Sequence, residues 1–323
     1  MLSHARAAVR WARTRSVVAR HLRYVRRFPG LGVEPTANFL VFGSIKYGER
    51  SGIGEGTNIV VPAGAMLRIG SDCYIGRHVE LGPDSKIDIG DRASIQDRCI
   101  LLGNVSLGRY CVLAQDIDMS SGNHHFDLAP HLLIRDQDAL AATMPVLPGT
   151  NRTIEIGEDC WIGVHAVVMA GVRIGRGTII GANAIVTRDL PPYVVAAGSP
   201  ARILRKRLSF EPPISIDWHE EKHTPYFYSG FQISRDERQA NRELGGLLAT
   251  GDFGLWLATG PTGQMVVTIR SAGGGQIEVA TGGARSRIGG DWQEIRLPQS
   301  PPDCATRFVV TGGPVVVRKA RTA

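Results

Sequence analysis

The sequence predicts an all-β protein: a central parallel β-helix, preceded by a basic helical arm and followed by a small β-sandwich. Three observations lead there. Aliphatic residues recur every six positions between residues 53 and 190, ten of them are followed directly by Gly, and six β-rich runs separated by Gly clusters fill the last seventy or so residues. No run of 18 or more apolar residues exists, so a chain built on membrane-spanning helices is excluded. The 39 Gly show no Gly-X-Y period, and five Cys in 323 residues do not make a disulfide scaffold.

The arm comes first. Residues 1–28 hold eight Arg and no acid, and removing them from the total of +7 leaves 29 basic against 30 acidic residues. A nucleic-acid enzyme should carry its charge on the folded body, so nucleic acid is not the expected partner. Val18, Leu22 and Val25 fall on one helical face and Arg20, Arg23 and Arg27 on the other, with Phe28-Pro29-Gly30 as the stop. Two readings stay open. The arm lies on an anionic membrane surface through residues 1–28, or it packs on its own protein or a neighbouring subunit with its Arg solvated. An acid-free, Arg-rich leader also resembles an organellar transit peptide.

The ladder runs Ile69, Ile75, Leu81, Ile87, shifts by two to Ile89, Ile95, Leu101, Leu107, Leu113, Met119, and resumes at Ile156, Ile162, Val168, Ile174, Ile180, Val186. Helices repeat about every 3.6 residues and strands every 2, so a period of six needs another architecture. A hexapeptide repeat is the signature of a parallel β-helix, in which each repeat forms a short strand and a corner with the aliphatic residue inside. The glycines are expected where the backbone leaves the common φ/ψ wells. Four places after the aliphatic residue the chain is small, and Cys73, Cys99, Cys111 and Cys160 all occupy that position. They read as buried core residues, not ligands.

Between Met119 and Ile154 the ladder stops for SSGNHHFDLAPHLLIRDQDALAATMPVLPGTNRT. Interruptions beyond about 15 residues are usually functional or disordered. Acyl transfer from a thioester needs a base for the acceptor hydroxyl. A His suits that work near neutral pH and supplies roughly 10²–10⁴-fold in rate.

Residues 35–207 resemble the hexapeptide-repeat acyltransferases, whose fold is a left-handed β-helix. The segment IGEDCWIGVHAVVMAGVRIGRGTIIGANAIVTRDLPPYVVAAGSPARILR, Ile156–Arg205, is particularly similar to the maltose/galactoside and polysaccharide O-acetyltransferases. The resemblance implies an acetyl-CoA-dependent transferase with a catalytic His on the interrupting loop. His124 stands at the family's interval after Val105-Ser106-Leu107-Gly108, His124-x-x-Asp127 is similar to the family's H-x-x-D, and His125 is the neighbouring candidate. Asp127 either orients the imidazole or caps a turn. The family's acceptor-binding Asn has no clean match; Gln96 or Asp97 occupies its region, with His125 as a further acceptor-site candidate. The family's coenzyme A contacts fall on Val164, Ala182, Thr187, Arg188, Arg202 and Arg205, with Trp161 beside the site or purely structural. The resemblance further implies a homotrimer with sites between subunits, a saccharide acceptor (polysaccharide, oligosaccharide or lipid-linked), no metal, and a cytoplasmic protein, free or peripheral at the membrane.

Residues 208–250 read as a linker with a short helix near Arg235–Leu248, and residues 251–323 as the sandwich, similar to galactose-binding-type jelly rolls. Trp256 and Trp292 either stack on sugars or pack in its core. Three other functions remain as alternatives: N-acetylation of an amino sugar, a zinc carbonic anhydrase using His78, His124 and His165, and a non-catalytic glycan-binding β-helix.

Overall fold

The structure, a computed structural model, describes residues 19, 22, 24, 26–144, 152–302 and 304–323. The chain divides into two compact units, Met1–Ser209 and Phe210–Ala323.

The first unit is a parallel β-helix with three faces. Its first face stacks two-residue strands such as Tyr74–Ile75, Ser94–Ile95, Val112–Leu113, Trp161–Ile162 and Ile179–Ile180. The second face stacks Asn58–Val61, the start of Glu80–Ile89, the start of Ile100–Leu107, Asp118–Ser120, Val167–Val168 and Ile185–Val186. The third stacks Met66–Ile69, the ends of those two long strands, Ile154–Ile156 and Arg173–Ile174. All these pairings are parallel. The exception closes the helix, where Arg202–Lys206 turns back antiparallel on Val194–Ala197.

Every ladder residue named from the sequence is inside the prism, with at most 3% of its surface exposed. Each such burial is worth about 1.5–3 kcal/mol, and coil is held on coil by it. The shift of two in the ladder has a cause. Strands on the third face turn two residues inward, so Ile87 and Ile89 are both buried, opposite Leu67 and Ile69.

The glycines work differently from the expectation. None of the ten that follow ladder residues has a positive φ. A Cβ at Gly157 would lie 2.6 Å from the backbone N of Arg176, and one at Gly108 2.5 Å from that of Glu158. Eight of the ten are required because the next coil's backbone passes directly over the corner; at Gly82 and Gly181 the crowding atoms are the Leu102 and Ala197 side chains. The left-handed residue sits two places later, at Asp72, His78, Arg92, Tyr110, Asp159, His165 and Asn183.

The four ladder cysteines are buried as expected. Each thiol donates across to the next coil, Cys99 to the Ala114 carbonyl at 3.0 Å and Cys111 to that of Gly157 at 3.0 Å. Thr57 and Thr178 do the same through their hydroxyls. The repeat position is small because it must fit inside the corner, and weakly polar because a carbonyl awaits it there.

Most of the arm, including Val18, Arg20, Arg23 and Val25, lies outside the described residues. Its end packs on the first coil. Tyr24 and Phe28 are buried against Phe39, and the Tyr24 hydroxyl donates to the Ala37 carbonyl at 2.8 Å.

The second unit begins at Phe210, so the stretch expected as a linker belongs to it. Ser215–Asp217 pairs with the last strand, Val315–Thr322, and Ser229–Phe231 pairs with Leu247–Leu255. Between them lies a helix at Glu237–Leu244, ended by Gly245 at φ +71°. The remaining strands are antiparallel. Thr306–Thr311 joins two sheets, its first half pairing with Leu247–Leu255 and its second with Ile277–Thr281. One core containing Phe227, Phe231, Phe253 and Phe308 lies within them. Trp256 donates to the Pro302 carbonyl and packs on Phe210, while Trp292 is flanked by Arg270 and Arg318. Both are engaged structurally.

Candidate active site

The interrupting loop leaves the second face after Ser120 and returns to the third at Ile154. Its root is fixed: the Ser121 amide donates to the Leu102 carbonyl at 3.0 Å, and the Ser121 hydroxyl accepts from the Asn104 amide at 2.6 Å. Three residues on stands His124, with 82% of its side chain exposed.

The loop is organised by a short helix, Ile134–Ala141, absent from the sequence reading. Gln137, on its inner side, is 1% exposed. Its carbonyl accepts from the Ala129 amide at 3.0 Å, and its amide donates to the carbonyls of Phe126 (3.3 Å) and Leu132 (3.1 Å). That one side chain ties helix to loop. The next residue, Asp138, holds both histidines. Its Oδ2 is 2.7 Å from His124 Nδ1, and its Oδ1 accepts the His125 amide at 2.8 Å and lies 3.2 Å from His125 Nδ1. The His125 amide, then the His124 ring, hold the Asp138 carboxyl down to about 2.

An ionised carboxylate only accepts, so the nitrogen facing it carries the proton. His124 is therefore held with Nδ1–H toward Asp138, which leaves Nε2 with a free lone pair, as a general base requires. Asp127, expected to orient the ring, is exposed and has no hydrogen-bond partner among the described residues; Asp138 takes that place. The sequence offered only the acidic run Asp136-Gln137-Asp138 as a signal for it. Asp118, on the second face before the loop root, also escaped the sequence reading; burial pushes its carboxyl up.

The acceptor candidates Gln96 and Asp97 follow the first-face strand Ser94–Ile95, so they sit at the corner between first and second faces. The loop emerges from the next corner. Asp97 is also committed: it accepts from the Arg77 amide at 2.8 Å and from Arg77 Nη2 at 2.6 Å, and Arg77 lowers its carboxyl. Gln96 donates to the Ser94 hydroxyl. Within one chain neither joins His124. Nor do His78 and His165, which occupy that same first corner in different coils. Among the described residues no group of three or more His, Cys, Asp or Glu could hold a metal.

The coenzyme A candidates gather toward the end of the β-helix. Val164 and Ala182 follow first-face strands in successive coils, and the Asn183 amide donates to the Val164 carbonyl at 2.9 Å. Thr187 and Arg188 follow Ile185–Val186, at the corner from which the loop emerges two coils earlier. The Ala201 amide donates to the Ile185 carbonyl at 2.8 Å, which places the start of the closing strand beside that face. Arg202 and Arg205 are exposed, and their guanidinium hydrogen bonds among the described residues go only to the carbonyls of Ala201 and Lys206. With no carboxylate to neutralise them, they fit phosphate groups. Trp161 is 53% exposed on the first face, above Val112 in the previous coil.

Comparison with known proteins places the chain. The family model "Bacterial transferase hexapeptide (six repeats)" matches residues 153–188. The acetyltransferase WcaF of Escherichia coli K12, assigned by name to colanic acid biosynthesis, is 32% identical over 146 residues, covering 45% of this chain and 71% of its own length. The chain belongs to the hexapeptide-repeat acetyltransferases. A chloramphenicol acetyltransferase of Klebsiella aerogenes is 32% identical over 111 residues, covering 32% of this chain and 52% of its own. A galactoside O-acetyltransferase of Lactococcus lactis is 38% identical over 101 residues, covering 29% and 46%. The chain thus spans about half the length of several curated relatives it matches, and WcaF is covered further. In this chain the six-residue ladder is the frame, and the loop of His124 lies outside its period.

Proposed function

We propose that this protein transfers an acetyl group from acetyl-CoA to a hydroxyl of a saccharide, with His124 as general base. The observation that carries the reading is the His124–Asp138 pair, which presents a bare Nε2 on an exposed loop of an acetyltransferase frame. Relatives named as a galactoside O-acetyltransferase and as a colanic acid biosynthesis acetyltransferase support a saccharide acceptor.

His124 Nε2 accepts the acceptor hydroxyl's proton as the oxygen attacks the thioester carbon. The Asp138 carboxylate balances the imidazolium charge that forms, and the same proton then goes to the departing thiolate. The acetyl group is already activated, so no covalent enzyme intermediate is needed. Arg188, Arg202 and Arg205 hold the donor's phosphates, and the strip at Val164 and Ala182 takes its amide arm.

The site works between subunits of a homotrimer. Among the described residues the hydrogen-bond partner of the His124 ring is Asp138, and the acceptor candidates lie at another corner. Exposed apolar side chains stand on two faces, Tyr74, Val112 and Trp161 on the first and Leu40 and Leu102 on the second, where Glu80 and Asp118 also point outward. The third face is charged, carrying Arg68, Lys86, Asp88 and Arg173. Packing copies through the first two faces and leaving the third in water suits that division.

Calorimetric titration with acetyl-CoA tests the reading without a guess at the acceptor. Saturable binding at about one site per chain, weakened by Arg202→Ala, is the expected result. No binding would overturn it.

A further inference from the structure

The second unit carries a cleft of about 270 Å³, and its chemistry is that of a sugar site. The apolar part of its lining is Ile233, Leu247 and the indole of Trp218. The Trp218 ring lies 4.4 Å from that of His219, centroid to centroid, and its buried Nε1 has no acceptor among the described residues. His219 is fixed by Asp217, which accepts its amide at 3.0 Å and faces its Nδ1 at 2.8 Å while also bound to Lys319 at 2.9 Å. The imidazole therefore carries its proton on Nδ1 toward Asp217 and leaves Nε2 with a lone pair. Arg238 is paired with Glu221 at 3.3 Å. Arg242 is exposed and its guanidinium has no carboxylate partner among the described residues.

We propose that this cleft binds an acidic sugar residue of a glycan chain. A pyranose has an apolar face of C–H groups and a rim of hydroxyls, and the cleft offers an indole with aliphatic neighbours beside a rim of mixed donors and acceptors. Glu221 and Thr224 can accept from hydroxyls, and Arg238 can donate. The unpaired Arg242 supplies the fork that a sugar carboxylate requires. A nucleoside diphosphate fits poorly. Its phosphates need several unopposed cations, whereas Glu221 already neutralises Arg238. The volume lies near the lower end of the usual ~300–1,000 Å³ for small-molecule sites, which suits one ring of a longer chain. All its lining residues belong to the second unit, between 218 and 247.

The test uses the full chain with two probes matched in length, hyaluronan tetrasaccharide (acidic) and chitotetraose (neutral), in calorimetric titrations. Saturable binding of the acidic probe is expected, at least about tenfold tighter than the neutral one. Trp218→Ala should abolish binding of both. Arg242→Gln, a surface change that leaves the core untouched, should erase the preference while thermal unfolding stays unchanged. Equal binding of the two probes overturns the acidic assignment. Binding of neither, or binding indifferent to both substitutions, overturns the site. Acetyl-CoA titrations on the same variants should be unaltered, so a failure of donor binding with glycan binding intact would count against the transferase reading alone.

Discussion

His124 Nδ1 lies 2.7 Å from Asp138 Oδ2, across fourteen residues of a loop that the hexapeptide frame does not template. The carboxylate comes from a helix inside the same loop, so the loop itself supplies both ring and carboxylate, with Gln137 bracing helix to loop.

Removing the base should show this directly. His124→Ala is expected to lower the acetyl-transfer rate by roughly 10²–10⁴-fold, read as thiol release with a saccharide acceptor, while the Kd for acetyl-CoA stays nearly constant. His125→Ala should cost far less. A larger loss in His125→Ala would exchange the two roles.

Asp138→Asn should reduce the rate about 10-fold or more, because an amide can donate to Nδ1 and favour the wrong tautomer. Asp127→Asn should leave it unchanged. The Asp138 carboxyl is held at about 2 in the fold against 3.8 ordinarily. A depressed folded pKa stabilises above the unfolded value and is lost as pH falls through the folded one. The loop anchor should therefore persist at pH 4 and release between about 4 and 2, followed by the carboxyl carbon shift of Asp138 in NMR.

Arg188→Ala and Arg202→Ala should each weaken acetyl-CoA binding about 10–100-fold at low salt, the worth of a charged hydrogen bond of ~1.5–3 kcal/mol. The loss should shrink as ionic strength rises. Calorimetry at two salt concentrations reads both effects.

Gly157→Ala places a Cβ 2.6 Å from the Arg176 amide nitrogen, backbone against backbone, and should cost about 1–3 kcal/mol with a lower Tm. At Gly122 a Cβ meets nothing closer than the Ser120 hydroxyl at 4.0 Å, so Gly122→Ala should leave Tm unchanged.

Thiol chemistry gives an independent check on the frame. Burial pushes the Cys99 thiol up to about 11 and raises those of Cys73 and Cys111. Iodoacetamide should modify only the exposed Cys304 in the native protein, and all five cysteines after denaturation. Mass spectrometry separates the two patterns.

The β-helix was legible because its rule is local and repeated. One wrong residue in Ile75–Leu81–Leu101 would misalign a coil, so the period is written into every turn. The glycines were placed correctly but for the wrong reason, since crowding by the next coil leaves no trace in a residue's own φ. Asp138 was missed because it lies fourteen residues from His124, on a helix only eight residues long. That residues 210–250 belong to the second unit and are not a linker was missed for a similar reason. Ser215–Asp217 is three residues long, and its pairing with Lys319–Arg321 spans the whole second unit.

The register around the loop has a consequence for how such proteins diversify. Met119 faces Leu101 and Ile156 faces Leu107, so the rungs on either side of the insertion pair as if it were not there. The frame commits no ladder residue to the interrupting segment, which is fastened near its two ends, through the Ser121 amide to the Leu102 carbonyl and through the Arg152 carbonyl to the Gly171 amide. A segment attached in that way can be lengthened, shortened or exchanged between chassis of the same pitch, and a new acceptor can be reached by rewriting thirty-odd residues without refolding the other coils.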